Sequence, residues 1–315
     1  MESRSPRSGS RGTMTKDSIK HGVVEAAQMP LFSPEGTGPA PGDGTTFPTE
    51  GVSKVNRTRK KQPPHSRMAR TKIRGIQDLI WKESVFALQH VEQCADAAAF
   101  LEFLRHHLPQ NSQITRDRYA GTVLRWFFPD GVRGLAAKVW IRYRDLVLAA
   151  EILRYLYLHA EPMVGTTVAE ALFPIAEGST IPDSYLTNFL RTHFGEDTPP
   201  KSIKRVKMNL RRLGILAKEK SNRDVLRGLC PSATGFLVVA HHTFACTETR
   251  GVELRTLLED PFWKYLGFKS EDQIRAILKE SLARGVIAKY VVADRIESIS
   301  FRYTFDEFLE KGLTL

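Results

Sequence analysis

From about residue 95 onward, apolar residues recur at the three- and four-residue spacing of helices. The spacing predicts helices over Ala95–His107, Ile114–Phe128, Ala136–Leu158 and Thr167–Ile175. Pro109, Pro129 and Pro162 punctuate them, since proline lacks an N–H and fixes φ. Ala136–Leu158 is apolar nearly all round, the mark of a buried central helix. No strand-like alternation occurs between Ile76 and Gly178, so residues 76–178 read as a helical domain. Within Ile114–Phe128, Tyr119, Val123, Trp126 and Phe127 share one arc, and Arg118, Thr122 and Arg125 share the other. The ordinary reading of that polar stripe is a solvated face. The functional reading is a helix that touches phosphates.

Beyond residue 178 the pattern changes. Ile181–Phe194 predicts a shorter amphipathic helix. Thr198–Leu216 reads TPPKSIKRVKMNLRRLGIL, with Thr198 as N-cap, Pro199 at the first helical position and Gly214 as the stop. Ile203, Val206, Leu210 and Leu213 make one tight apolar stripe, while Lys201, Lys204, Arg205, Arg211 and Arg212 gather on another arc. Like charges at helix spacing are destabilising, so a face that keeps five of them calls for an anionic partner. Asn209 lies off that face and is a poor base reader. Ile215–Lys220 and Val225–Arg227 flank the turn formers Ser221–Asp224 and predict a hairpin. Helix, turn, basic helix and hairpin is the order of a winged helix-turn-helix, here over 179–235. Its second helix can enter a major groove, and its hairpin, with Lys218, Lys220 and Arg223, can touch the backbone beside it. A winged helix used for protein contacts is the alternative.

The pattern recurs. Gln273–Lys289 aligns without gaps with Ser202–Lys218, matching Ile274 to Ile203, Ile277 to Val206 and Gly285 to Gly214. Ser270 and Gln273 form a capping-box signature ahead of it, and residues 290–303 predict another hairpin. This is a second winged-helix-like unit over 236–315. On its outward face Arg275 and Lys279 are diluted by Asp272, Ala276 and Ala283, which suits packing or protein binding better than DNA. The fold class is therefore mainly α: a disordered N-terminal tail, a helical domain, then two winged-helix-like units with small β-hairpins.

Charge sharpens this picture. The 315 residues carry a net charge of +11, which favours a polyanionic partner. Residues 201–227 hold 10 Lys and Arg against 2 Asp and Glu, and residues 1–74 hold 14 against 6. Residues 75–200 and 228–315 are near neutral or acidic. So one basic block lies in a structured segment and the other in a tail. Residues 1–67 are rich in Ser, Gly, Pro and Thr and read as disordered. Lys54–Arg74, with nine Lys and Arg and no acid, reads as a solvated charge run or as a phosphate-binding arm. Gln28-Met29-Pro30-Leu31-Phe32 is similar to the short peptides that dock on bacterial sliding clamps, with Gln28 for hydrogen bonding and Leu31 and Phe32 for an apolar pocket.

Other chemistries are not encoded in recognisable form. There is no phosphate-binding P-loop, no dinucleotide fingerprint, no GxSxG and no HExxH, so no enzyme, cofactor or metal is expected. His241, His242 and Cys246 lack paired CxxC spacing, and following the strand-like run Phe236–Ala240 they read as structural. Cys94, Cys230 and Cys246 are far apart, which fits a reducing cytoplasm. The longest apolar run, Leu146–Leu158, is too short for a membrane span and contains Glu151 and Arg154. RNA is less favoured than DNA, because no run of interleaved aromatics offers a stacking platform.

The helical first half, the basic helix with its hairpin, and the ending ARGVIAKYVVADRIESISFRYTFDEFLEKG (Ala283–Gly312) resemble the BrxA-type proteins of BREX phage-defence loci. The resemblance covers about residues 76–315 and is one of layout and C-terminal segment. It implies a small, non-enzymatic, double-stranded-DNA-binding protein that acts with other phage-defence proteins. The long tail departs from the family's compact pattern.

Overall fold

The computed structural model describes residues 76–219, 223–249, 251–293, 296–312 and 314. They all belong to one compact unit, Met68–Leu315. The predicted tail over 1–67, the peptide with Gln28, Leu31 and Phe32, and Lys220 lie outside the described residues.

Helices dominate, as the periodicity predicts. The first layer comprises α1 (Trp81–His90), α2 (Ala97–His107), α3 (Gln113–Phe127), α4 (Leu135–Tyr143), α5 (Leu146–Ala160) and α6 (Pro162–Thr166). A π-helical turn over Thr167–Leu172 continues α6. The centre is α5, with Leu148, Ala149, Ile152, Leu153, Tyr157 and Leu158 all buried. It packs on α3, α4 and α6.

The single helix predicted over Ala136–Leu158 is two helices. Arg144 adopts the left-handed conformation at φ 51°, and the Asp145 side chain accepts from the N–H groups of Val147 and Leu148. A capping aspartate satisfies the first free N–H groups of a new helix and so competes with continuation. The left-handed turn costs about 1–2 kcal/mol for a residue with a Cβ. It is held by the ion pair of Arg144 with Glu92 and by its guanidinium over the Trp140 ring.

Next come β1 (Thr180–Pro182), α7 (Asp183–Phe194), α8 (Pro200–Arg212), β2 (Leu216–Lys218) and β3 (Arg223–Leu226). The antiparallel sheet has the order β1-β3-β2. Thr180–Pro182 is a strand whose Ile181 turns inward, so the helix predicted from Ile181 starts at Asp183. After α9 (Ala233–Phe244) the same plan returns as β4 (Gly251–Glu253), α10 (Leu254–Glu259), α11 (Phe262–Leu266), α12 (Glu271–Ala283), β5 (Ile287–Ala293) and β6 (Ile296–Phe301). The second sheet has the order β4-β6-β5, and α13 (Phe305–Lys311) ends the chain's described helices. The repeat is wider than the aligned sequence. The bounds of β1 and β4, of α8 and α12, and the starts of β2 and β5 are each 71 residues apart. Gly214 and Gly285 occupy matching left-handed positions at φ +76° and +70°. Ser270 and Gln273 form the predicted capping box.

The strand-like run Phe236–Ala240 is helical and belongs to α9, where Phe236 through Ala240 are fully buried. A short apolar run has no period of its own to read, and Ser232, which caps Gly235 N–H, starts the helix. Glu151 of α5 supports that cap: its carboxylate accepts from the Ser232 backbone N–H at 3.1 Å and from the Ser232 hydroxyl at 2.8 Å. Burial pushes the Glu151 carboxyl upward, and the bonds from Ser232 oppose the shift.

Candidate nucleic-acid interface

Pro199 is the N-cap of α8 and Pro200 its first helical residue. The predicted cap, Thr198, instead turns its hydroxyl back to the Gly195 carbonyl at 2.6 Å. The apolar stripe is as predicted: Ile203, Val206, Leu210 and Leu213 are buried. Gly214 then turns the chain into β2.

The five predicted cations of α8 divide into two groups. Lys201 and Lys204 are exposed, with no ion pair among the described residues. The other three are engaged within the protein. Arg211 donates both its Nε and an Nη to Asp224 of β3, at 2.8 and 2.9 Å, and Asp224 is 1% exposed. Arg205 donates to the Ile76 carbonyl at 2.6 Å and pairs with Asp78 at 3.3 Å. Arg212 donates to the Leu79 carbonyl at 3.0 Å. Lys207, absent from the predicted set, is buried and donates to the Asp183 carbonyl at the start of α7. On the hairpin, Lys218 and Arg223 are exposed.

Sequence reasoning missed what Arg205 and Arg212 hold. Residues Ile76–Ile80 form a strap along α8, and Asn209, fully buried, holds its middle. Asn209 Oδ1 accepts from Leu79 N–H at 2.9 Å, and its Nδ2 donates to the Gln77 carbonyl at 2.9 Å and to the Tyr157 hydroxyl at 2.7 Å. The available signal was a lone amide on an otherwise basic and apolar helix.

The strap also reaches α3. Gln77 Oε1 lies 2.9 Å from the Thr122 hydroxyl. Thr122 is therefore buried, whereas Arg118 and Arg125, one turn to either side, are exposed. Each lies over its neighbour's ring, Arg118 over Tyr119 and Arg125 over Trp126. Gly121 faces open space. One strap thus connects the two helices whose polar faces the sequence singles out.

The second unit carries no comparable face. Arg275, at the position matching Lys204, is surrounded by Glu271, Asp272 and Glu297 at 3.1–3.6 Å. The Tyr290 hydroxyl and then Arg275 hold Glu297 below the usual carboxylate range. Its hairpin exposes the apolar side chains Val291, Val292 and Ile296.

Two solved structures are similar in outline. SspB aligns with a TM-score of 0.46 and 13% sequence identity, over 72% of this chain and 83% of that chain. Magnesium-ion-bound SspB aligns with a TM-score of 0.45 and 15% identity over the same shares. No family model matches the chain, and no curated protein matches it. None of the matches names a BrxA-type protein.

Among the described residues, no group of three or more His, Cys, Asp and Glu is placed to hold a metal. No helix among them is long and apolar enough to cross a membrane. His241 lies in the core, its ring 4.1 Å from that of Phe308 and its Nδ1 2.8 Å from the Leu237 carbonyl. Burial lowers its pKa to about 4. Cys246, the third member of that cluster, is exposed.

Proposed function

We propose that this chain is a non-enzymatic double-stranded-DNA-binding protein. The observation that carries the reading is the division of charge on α8 and its neighbours. Lys201, Lys204, Lys218, Arg223, Arg118 and Arg125 are exposed without an ion pair among the described residues, while Arg205 and Arg211 are ion-paired and Arg212, itself exposed, donates to the Leu79 carbonyl. Six such cations suit phosphates spaced along a duplex. Their contacts position the protein and carry no sequence information. Asn209, the one amide on α8, is committed to the strap, so the reading is of backbone binding with low sequence preference.

Neutralising six phosphates gives a slope of log affinity against log salt of about −5. The test is fluorescence anisotropy with duplex DNA over a salt series, comparing the wild type with Lys201→Gln/Lys204→Gln. A weaker, flatter response is expected in the variant. Equal affinity and equal slope would remove the reading.

The likeness of layout to BrxA-type proteins supports a place among phage-defence proteins, in the cytoplasm. Gln28, Leu31 and Phe32 would add a sliding-clamp contact. A second reading, an assembly protein, draws on the hairpin of the second unit with its exposed Val291, Val292 and Ile296. Partners that survive nuclease treatment in a co-purification would favour it.

A further inference from the structure

α8 is enclosed on all sides but one. Ile203, Val206 and Leu210 face the core. Lys207 reaches α7, Arg205 and Asn209 hold the strap, and Arg211 holds β3. What stays open is a single line of Lys201, Lys204, Met208 and Arg212, at steps of three, four and four residues. That line runs about 16 Å along the helix. Met208 is its one uncharged member. It is partly exposed, and among the described residues it belongs neither to the core nor to the side chains packed against the core.

The fold does not require an apolar side chain there. The repeat places Lys279 at the matching position of α12, and Lys279 is exposed. The copy that keeps its lysines unpaired thus carries methionine where the other carries a solvated lysine. A helix walled on both flanks brings only its outermost line to the floor of a groove. With Lys201 and Lys204 on phosphates, the next side chain along that line is Met208, one turn beyond Lys204. The amide beside it, Asn209, is committed to the strap. A methionine side chain is flexible and moulds to irregular apolar surface. The apolar feature that a major groove offers is the 5-methyl group of thymine.

We infer that Met208 is the base-contacting residue of this interface, covering thymine methyl groups in the major groove while Lys201 and Lys204 hold the phosphates beside it. This rests on the DNA-binding reading above and adds to it a weak preference for A·T pairs. A methyl group taken out of water is worth about fourfold in affinity. That is small against the salt-dependent phosphate contribution, so it biases where the protein sits without fixing one site.

The test titrates the full chain, by anisotropy at several salt concentrations, against two duplexes made only of A·T pairs. They are identical except that one carries deoxyuridine in place of every thymine, which removes the major-groove methyl and keeps the pairing and the phosphates. The wild type should bind the thymine duplex about fourfold more tightly for each methyl covered. Met208→Ala should bind both duplexes alike, near the wild type's affinity for the uracil duplex and with the same salt slope, because no phosphate contact is lost. Met208→Leu keeps an apolar side chain and should keep the preference. A wild type that binds both duplexes equally, with a steep salt slope, overturns the inference and leaves the DNA-binding reading standing. So does a thymine preference that survives in Met208→Ala. A wild type that binds neither duplex overturns both.

Discussion

Asn209 holds Leu79 as a neighbouring strand would, its side-chain oxygen accepting the Leu79 N–H at 2.9 Å, and its nitrogen donates to the Gln77 carbonyl at the same distance. A primary amide carries a donor and an acceptor at about the spacing of a peptide group. One buried side chain therefore fixes a segment 130 residues away in sequence.

That geometry predicts a large effect of a small change. Asn209→Ala strands a buried N–H and a carbonyl, each costing about 1–3 kcal/mol when unsatisfied. A total loss of about 2–6 kcal/mol is expected, the sum of the two costs. Asn209→Asp keeps the acceptor but not the donor. Urea denaturation should place both below the wild type in midpoint. A midpoint unchanged in Asn209→Ala would mean that the strap is not held by this residue.

Arg211 and Asp224 predict a separation of stability from binding. Removing one partner of a buried pair leaves an uncompensated charge, typically a loss of about 3–5 kcal/mol. Arg211 is itself only partly buried, so Arg211→Met should fall at or below the lower end of that range. Asp224→Asn/Arg211→Met should recover part of the loss. Because Arg211 already has its anion, the salt slope for DNA should match the wild type in any variant that stays folded. A reduced slope would place Arg211 among the phosphate contacts.

On α3, Arg118→Gln/Arg125→Gln should leave the unfolding midpoint nearly unchanged, since both side chains are exposed. In DNA titrations it should lower the magnitude of the salt slope by about 2, at ~0.9 per phosphate. An unaltered slope would confine the interface to α8 and its hairpin.

His241 predicts an acid-sensitive core. Its pKa is about 4 in the folded chain against an ordinary value of 6.5, because burial disfavours the charged ring. Above 6.5 it is neutral in both states and has no effect on stability. As pH falls from 6.5 toward 4 the unfolded chain takes up a proton that the folded chain refuses. Stability is therefore lost, at up to about 1.4 kcal/mol per pH unit. His241→Phe keeps an aromatic ring against Phe308 and should flatten the pH dependence of unfolding in this window. An unchanged slope in that variant would assign the acid sensitivity elsewhere.

Sequence alone determined the parts of this molecule that depend on local periodicity and on special backbone positions. The stripe Ile203, Val206, Leu210 and Leu213 is legible because helix geometry maps spacing onto a face. Gly214 and Gly285 mark matching left-handed stops, and Ser270 with Gln273 marks a helix start, for equally local reasons. Where two local signals compete, periodicity misleads: Asp145 breaks the long apolar run of α4 and α5, and Ser232 makes a helix of Phe236–Ala240.

Only the tertiary structure decided which cations remain free. On a helical wheel Lys204 and Arg205 are neighbours on one basic face. In the fold Arg205 holds the backbone of Ile76 and pairs with Asp78, while Lys204 is exposed. Arg211 finds Asp224 because β3 returns beside α8. Thr122 and Asn209 meet through Gln77 because α3 and α8 both pack around α5's side of the strap, where Tyr157 completes the contact. A charge's availability depends on the polar groups that long-range packing brings within hydrogen-bonding distance, and that information is not carried by the spacing of residues along one helix.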